Sequence, residues 1–151
     1  MDTDFATSLI KCAAVLALKG VVVSLWTVRA RIMSKTYNFE EPEGANLMGK
    51  LITPAIMTFI SLGGTKRHVE IGERISINNA VNEPMFIALA LTAGLATASP
   101  PAFFVKNFMY CRVLHNCCFF LMDAIGAAPR TICYVTGMSS VIGISVFLLT
   151  Q

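Results

Sequence analysis

Between Ser8 and Val28 the chain carries a run long and apolar enough to cross a bilayer, with only Lys11 and Lys19 charged. A hydrocarbon core about 30 Å thick needs roughly 20 apolar residues as a helix. Three more stretches fit that length: about Ile75 to Ala98, about Ala102 to Met122 and about Thr131 to Leu149. Inside lipid the backbone must satisfy its own polar groups, so such runs are helices. Ser99-Pro100-Pro101 turns the chain between the second and third, and Gly126-Ala127-Ala128-Pro129 separates the third from the fourth. The sequence therefore predicts an all-α, integral membrane four-helix bundle, a single domain over residues 1–151. Charged residues make up 14% of the chain and hydrophobic ones 55%, whereas soluble domains carry about 25% charge. That deficit does not cover a water-facing surface.

One connection is long, about Ser34 to His68. Its apolar segment Leu51–Phe59 is broken by Pro54 and is too short to span; an interfacial segment and a packed loop both fit it. Arg29, Arg31, Lys35, Lys50, Lys66, Arg67 and Arg130 lie in or beside the first and third connections, against Lys11 and Lys106 on the other side. The positive-inside rule then makes the long loop cytosolic and both termini lumenal. Asp2 and Asp4 precede the first run where a secretory leader would be basic, so that run reads as a retained helix. A multi-pass protein of the endoplasmic reticulum membrane is the expectation. The five cysteines fall in apolar runs with no CxxC pair and no zinc spacing, and read as small apolar residues rather than metal ligands. No basic stripe points to nucleic acid. There is no Walker A or dinucleotide fingerprint, and Ser34 has no His–Asp partner.

Charged and polar residues inside spans face protein or water, because lipid penalises them. On the second helix Arg74 and Asn78 are four apart and share a face; Glu70, four before Arg74, is placed to pair with it. Asn82 continues the row, and Glu83, nine after Arg74, faces away from it. On the third helix Arg112 and His115 share a face that Phe119 extends. Arg130 and Thr131 precede Tyr134 by one turn on the fourth. Each has a bland reading: Arg74 and Arg130 as snorkelling side chains, His115 as a satisfied core histidine, Tyr134 as an interfacial aromatic. Arg112, in mid-span, requires a buried partner. Taken together, three helices bring cations, an amide, an imidazole and a hydroxyl to one end of the bundle. That set suits a small anionic polar ligand meeting an apolar partner from the lipid.

These residues resemble the membrane-associated proteins of eicosanoid and glutathione metabolism, a four-span family. Val69-Glu70 with Arg74, Asn78 and Phe86 is similar to its second-helix pattern; Arg112-Val113-Leu114-His115 is similar to its third; Pro129-Arg130-Thr131-Ile132-Cys133-Tyr134 is similar to its fourth. Val28-Arg29-Ala30-Arg31 resembles the end of its first helix, and Glu41-Pro42-Glu43-Gly44 echoes its loop. The resemblance implies a homotrimer binding glutathione between subunits. It implies that Arg74, Asn78, His115 and Tyr134, supported by Arg29, hold the tripeptide, and that Arg130 and Thr131 face its sulfur. One copy also offers few evident partners to Lys19, Glu83 and Arg112, a second ground for expecting a trimer. The chain departs from the pattern at Val81, where the family has glutamate, and at Phe119, where it has tyrosine.

The implied activity is a glutathione transferase or peroxidase acting on a lipophilic electrophile or hydroperoxide. Alternatives are a prostaglandin E synthase, a non-catalytic lipid-binding scaffold of the same family, and an unrelated four-helix membrane protein. The topology is directly testable. In intact microsomes, a single cysteine placed near Lys66 is expected to react with an impermeant thiol reagent and one near Pro100 is not; the reverse pattern inverts the orientation.

Overall fold

A computed structural model describes residues 2–34, 66–96 and 100–151. Leu51–Phe59, the Glu41–Gly44 loop text, Lys35, Lys50 and Ser99 lie outside them. The described chain is helical: α1 (Thr3–Ser34), α2 (Lys66–Leu95), α3 (Ala102–Phe120), the single turn α4 (Met122–Ile125) and α5 (Ala128–Leu149). Among the described residues there is no strand. α1 and α2 run past the expected spans, to Ser34 and back to Lys66.

The breaks have local causes. Pro100 and Pro101 precede α3, with Pro101 at its N-cap. Gly126 adopts φ 74°, a left-handed conformation that glycine takes without steric cost. Pro129 then sits in the first turn of α5, where no helical acceptor awaits its missing N–H. Because α5 begins at Ala128, Arg130 and Thr131 lie in its opening turn. Pro84 stands inside α2 and cannot donate to the carbonyl four residues back.

The inward stripe of α1 is spaced alternately three and four residues: Phe5, Leu9, Cys12, Leu16, then Val23, Trp26 and Ala30 are buried. Lys19 occupies the missing place in that series. The outward faces are also apolar: Ile10, Leu18, Phe103, Leu114, Ile132, Val135 and Ile142 are exposed. A water-soluble helix would present polar residues there. α1 over Thr3–Arg31 and α5 over Ala128–Leu149 are long and apolar enough to cross a membrane. α2 and α3 carry the buried polar residues Asn79, Asn82, Glu83, Arg112, His115 and Asn116.

The chain divides into two compact units, Met1–Gly20 with Asn78–Gln151, and Val21–Ile77. In the first, Phe5, Leu9, Cys12 and Leu16 of α1 join Phe86, Ala90 and Ala93 of α2, Val105 and Phe108 of α3, and Ile144 of α5 in one core. The Phe86 and Phe108 rings stack at 3.7 Å. α3 and α5 approach closely through small residues, the usual device for packing helices in lipid. A Cβ on Gly137 would lie 3.3 Å from that of Cys111, and one on Gly143 would strike the Phe104 ring. Beside them Asn107 Nδ2 donates to the buried Ser140 hydroxyl at 2.7 Å and to the Thr136 carbonyl at 3.0 Å.

In the second unit Gly72 lets α2 meet α1: a Cβ there would fall 2.2 Å from Thr27 Oγ1 and 3.1 Å from Thr27 Cβ. Trp26 and His68 pack edge to face at 5.7 Å. Arg31 donates to Glu73 at 2.8 Å, at the rim of a groove of about 490 Å³ that Ser24, Thr27 and Ser76 also line.

Gly72→Ala should therefore destabilise the folded protein, by ~1–3 kcal/mol as overpacking does. Gly20→Ala meets nothing within 4 Å and should be neutral or mildly stabilising. Thermal denaturation in detergent, followed by size-exclusion recovery, checks the contrast; equal behaviour would mean that the α1–α2 approach at Gly72 is wrong.

Candidate functional site

The first unit contains a buried charge cluster that the helical-face argument from sequence missed. Lys19 of α1 donates to the Glu83 carboxylate of α2 and, at 3.3 Å, to Asn79 Oδ1. Arg112 of α3 is 1% exposed. Its Nε lies 3.6 Å from Glu83 Oε1. Its Nη2 donates to Asn78 Oδ1, to the Asn78 carbonyl at 3.3 Å and to Asn79 Oδ1 at 3.2 Å. The guanidinium is wide enough to bridge the Asn78 row and the Asn79–Glu83 row of α2. So Glu83, though turned from Arg74, faces the interior of its unit. Lys19, Glu83 and Arg112 find partners within a single copy, although Arg112 Nε, 3.6 Å from Glu83, is buried without a hydrogen bond among the described residues. The expectation that one copy leaves them few partners is narrowed to that atom.

The signal for the cluster was present in the spacing: Lys19 continues the stripe Phe5, Leu9, Cys12, Leu16, so it had to point inward.

One turn along α3 from Arg112, His115 is 3% exposed. Its ring packs edge to face on Phe119 at 5.1 Å and lies 6.0 Å from the Tyr134 ring. His115 Nδ1 and both amide atoms of Asn116 are buried without a hydrogen bond among the described residues. Arg130 sets its guanidinium 4.5 Å over the Phe119 ring. A cation over an aromatic face is worth about 0.5–2 kcal/mol depending on solvent access. The phenylalanine that lacks the family's hydroxyl thus orients Arg130. Thr131, exposed on the same turn, donates its hydroxyl to the Ala127 carbonyl at 3.3 Å.

A continuous row therefore runs through the first unit: Asn78, Arg112, His115, Phe119, with Tyr134 against the imidazole and Arg130 at the end. Five residues singled out from sequence are here, namely Asn78, His115, Arg130, Thr131 and Tyr134. The second unit holds the other two: Arg74 is exposed on α2 and Arg29 half-buried on α1. Among the described residues Glu70 makes no ion pair with Arg74; Glu73 pairs instead with Arg31. Cys12 and Cys111 are buried as expected, but Cys117 is exposed; all five cysteines are free thiols.

The model of the MAPEG family matches residues 9–150. This chain belongs to the MAPEG family. The match runs from within α1 to the end of α5. The family includes microsomal glutathione S-transferases and prostaglandin E synthase. No curated protein matches this MAPEG member. Membership and the apolar outer faces of its helices make it a membrane protein with a glutathione-related or eicosanoid-related role.

Proposed function

We propose that the protein is a membrane-bound glutathione-dependent transferase or peroxidase, and that its lipophilic substrate arrives from the bilayer. The observation that carries this reading is the row Asn78–Arg112–His115–Tyr134–Arg130, cationic and polar, set among helices whose outer faces are apolar. Glutathione brings two carboxylates and a thiol. Asn78, His115 and Tyr134, with Arg74 and Arg29, hold the tripeptide. Arg130 stabilises the sulfur as thiolate, since a nearby guanidinium favours the charged form. Thr131 accompanies it. The site is shared in a homotrimer of the endoplasmic reticulum membrane, with both termini lumenal.

The thiolate, not the thiol, is the nucleophile. With a lipophilic electrophile, the glutathione thiol releases its proton, sulfur bonds to the electrophilic carbon, and the leaving group departs with the electrons of the broken bond. With a hydroperoxide, sulfur attacks the terminal oxygen, the O–O bond breaks and an alcohol forms after protonation. The resulting sulfenic acid condenses with a second glutathione to give the disulfide and water. In both reactions negative charge sits on sulfur before attack, beside the preorganised charge of Arg130.

Val81 favours a second reading, a lipid-binding scaffold: the family's acid position is apolar here and 62% exposed. The retained basic and aromatic row supports the enzyme.

A conjugation assay with a generic electrophile tests the assignment. Arg130→Ala should lower turnover by ~10²–10³ while changing the glutathione half-saturation less, because its charge acts on the developing thiolate. Arg74→Ala should instead raise the half-saturation. Thr131→Val should cost less than Arg130→Ala. Full turnover in Arg130→Ala would contradict the assigned chemistry. A stable monomer by native mass spectrometry of the active preparation would remove the shared site.

A further inference from the structure

Glu83 is buried at 9% exposure, while Val81, the position where the family pattern has its acid, is 62% exposed. The carboxylate of α2 that lies inside the first unit is therefore the one two residues later. It accepts Lys19 and approaches Arg112 Nε at 3.6 Å. Held from that side, Arg112 turns its Nη2 toward Asn78 and Asn79. A guanidinium has donors and no acceptor, so the amide atom that meets it is oxygen. The Asn78 carboxamide is oriented by that contact. Asn82 Nδ2 acts in the same sense, donating to the Asn78 carbonyl at 2.7 Å and to Asn78 Oδ1 at 3.4 Å. With its oxygen taken up, half-buried Asn78 presents its amide N–H groups away from Arg112.

We infer that Glu83 is a positioning residue of the candidate glutathione site: through Arg112 it fixes the Asn78 carboxamide so that a hydrogen-bond donor, not an acceptor, is offered to a carboxylate or peptide carbonyl of the ligand. This rests on the glutathione reading above. Lys19 is the counter-charge that keeps the Glu83 carboxylate in place. The relay also gives a role to an acid that the family pattern does not contain at this position. It makes the contact of Asn78 with ligand depend on a residue that the ligand does not touch.

Five variants, with equilibrium binding of glutathione to the full chain in detergent, test the relay. Asn78→Asp keeps an acceptor for Arg112 and removes the donor. It should weaken binding about tenfold or more, as Asn78→Ala does, the usual consequence of losing a hydrogen bond to a charged group. Glu83→Gln should weaken binding by a similar factor while turnover at saturating glutathione stays within about threefold, the signature of an effect on binding alone. Glu83→Asp, which restores the charge, should recover most of the affinity. Glu83→Gln combined with Asn78→Ala should bind no more than about twofold more weakly than Asn78→Ala alone, because residues acting in one network are not additive.

Wild-type affinity in folded Glu83→Gln, or multiplied effects in the double variant, would overturn the inference. Should Glu83→Gln not fold, wild-type affinity in Asn78→Asp overturns it equally. If the wild-type protein binds no glutathione, the functional reading falls and the relay with it. If wild type binds and Asn78→Asp is unaffected, the relay alone falls.

Discussion

The buried carboxylate of Glu83, set between Lys19 and Arg112, is the constraint on which the first unit depends. Ions in a low-dielectric interior lose several kcal/mol each of hydration, and only close, well-formed partners offset that loss. Removing one partner of such a pair typically costs ~3–5 kcal/mol, because the other charge is left buried alone. Here one acid serves two cations from different helices, and the amide oxygens of Asn78 and Asn79 accept from Arg112 Nη2, with Asn79 also accepting from Lys19. The geometry therefore fixes three helices at once: α1 by Lys19, α2 by Glu83 and the two asparagines, α3 by Arg112. Aromatic and aliphatic packing around Phe86 and Phe108 fills the space on one side of this knot. The candidate site lies on the other, through His115.

The distribution of polarity follows from the same constraint. Apolar residues fill the core and also cover the outer faces, while buried polar residues gather on α2 and α3, unlike a soluble bundle with its polar exterior. In such an environment association relies on close packing and interhelical hydrogen bonds rather than on hydrophobic burial. Gly137, Ser140 and Gly143 on α5 supply the first, and Asn107 the second, through Ser140. Beyond this packing lie buried His115 and Phe119, with half-buried Arg130 and exposed Tyr134 beside them. Placing a thiolate there requires little reorganisation, since Arg130 already rests on Phe119.

Much of this was legible in the residues, for physical reasons. Long apolar runs punctuated by proline and glycine located the four long helices among the described residues, because lipid leaves no other way to satisfy the backbone. The row of Asn78, His115, Arg130 and Tyr134 was readable because each departs from the apolar rule. Two readings went astray. Glu83 was judged by its angle to Arg74 alone, yet a face turned from one residue can turn toward the interior, as it does at Lys19 and Arg112. Phe119 was placed on the face of Arg112 and His115 and otherwise read as a lost hydroxyl, whereas its ring also carries the Arg130 guanidinium. Both errors arose from considering one helix at a time, when long side chains such as arginine bridge two rows of a neighbouring helix. The pairing of Glu73 with Arg31 was missed for the same reason.

The central claim is that the cationic end of this bundle holds glutathione as a thiolate. A thiolate absorbs in the ultraviolet where the thiol does not, so the most direct measurement is the difference absorbance on titrating purified protein with glutathione in detergent at neutral pH. The account predicts a saturable thiolate band that is lost when S-methylglutathione, which has no ionisable sulfur, replaces glutathione. Absence of any saturable band, with the protein folded, would contradict it.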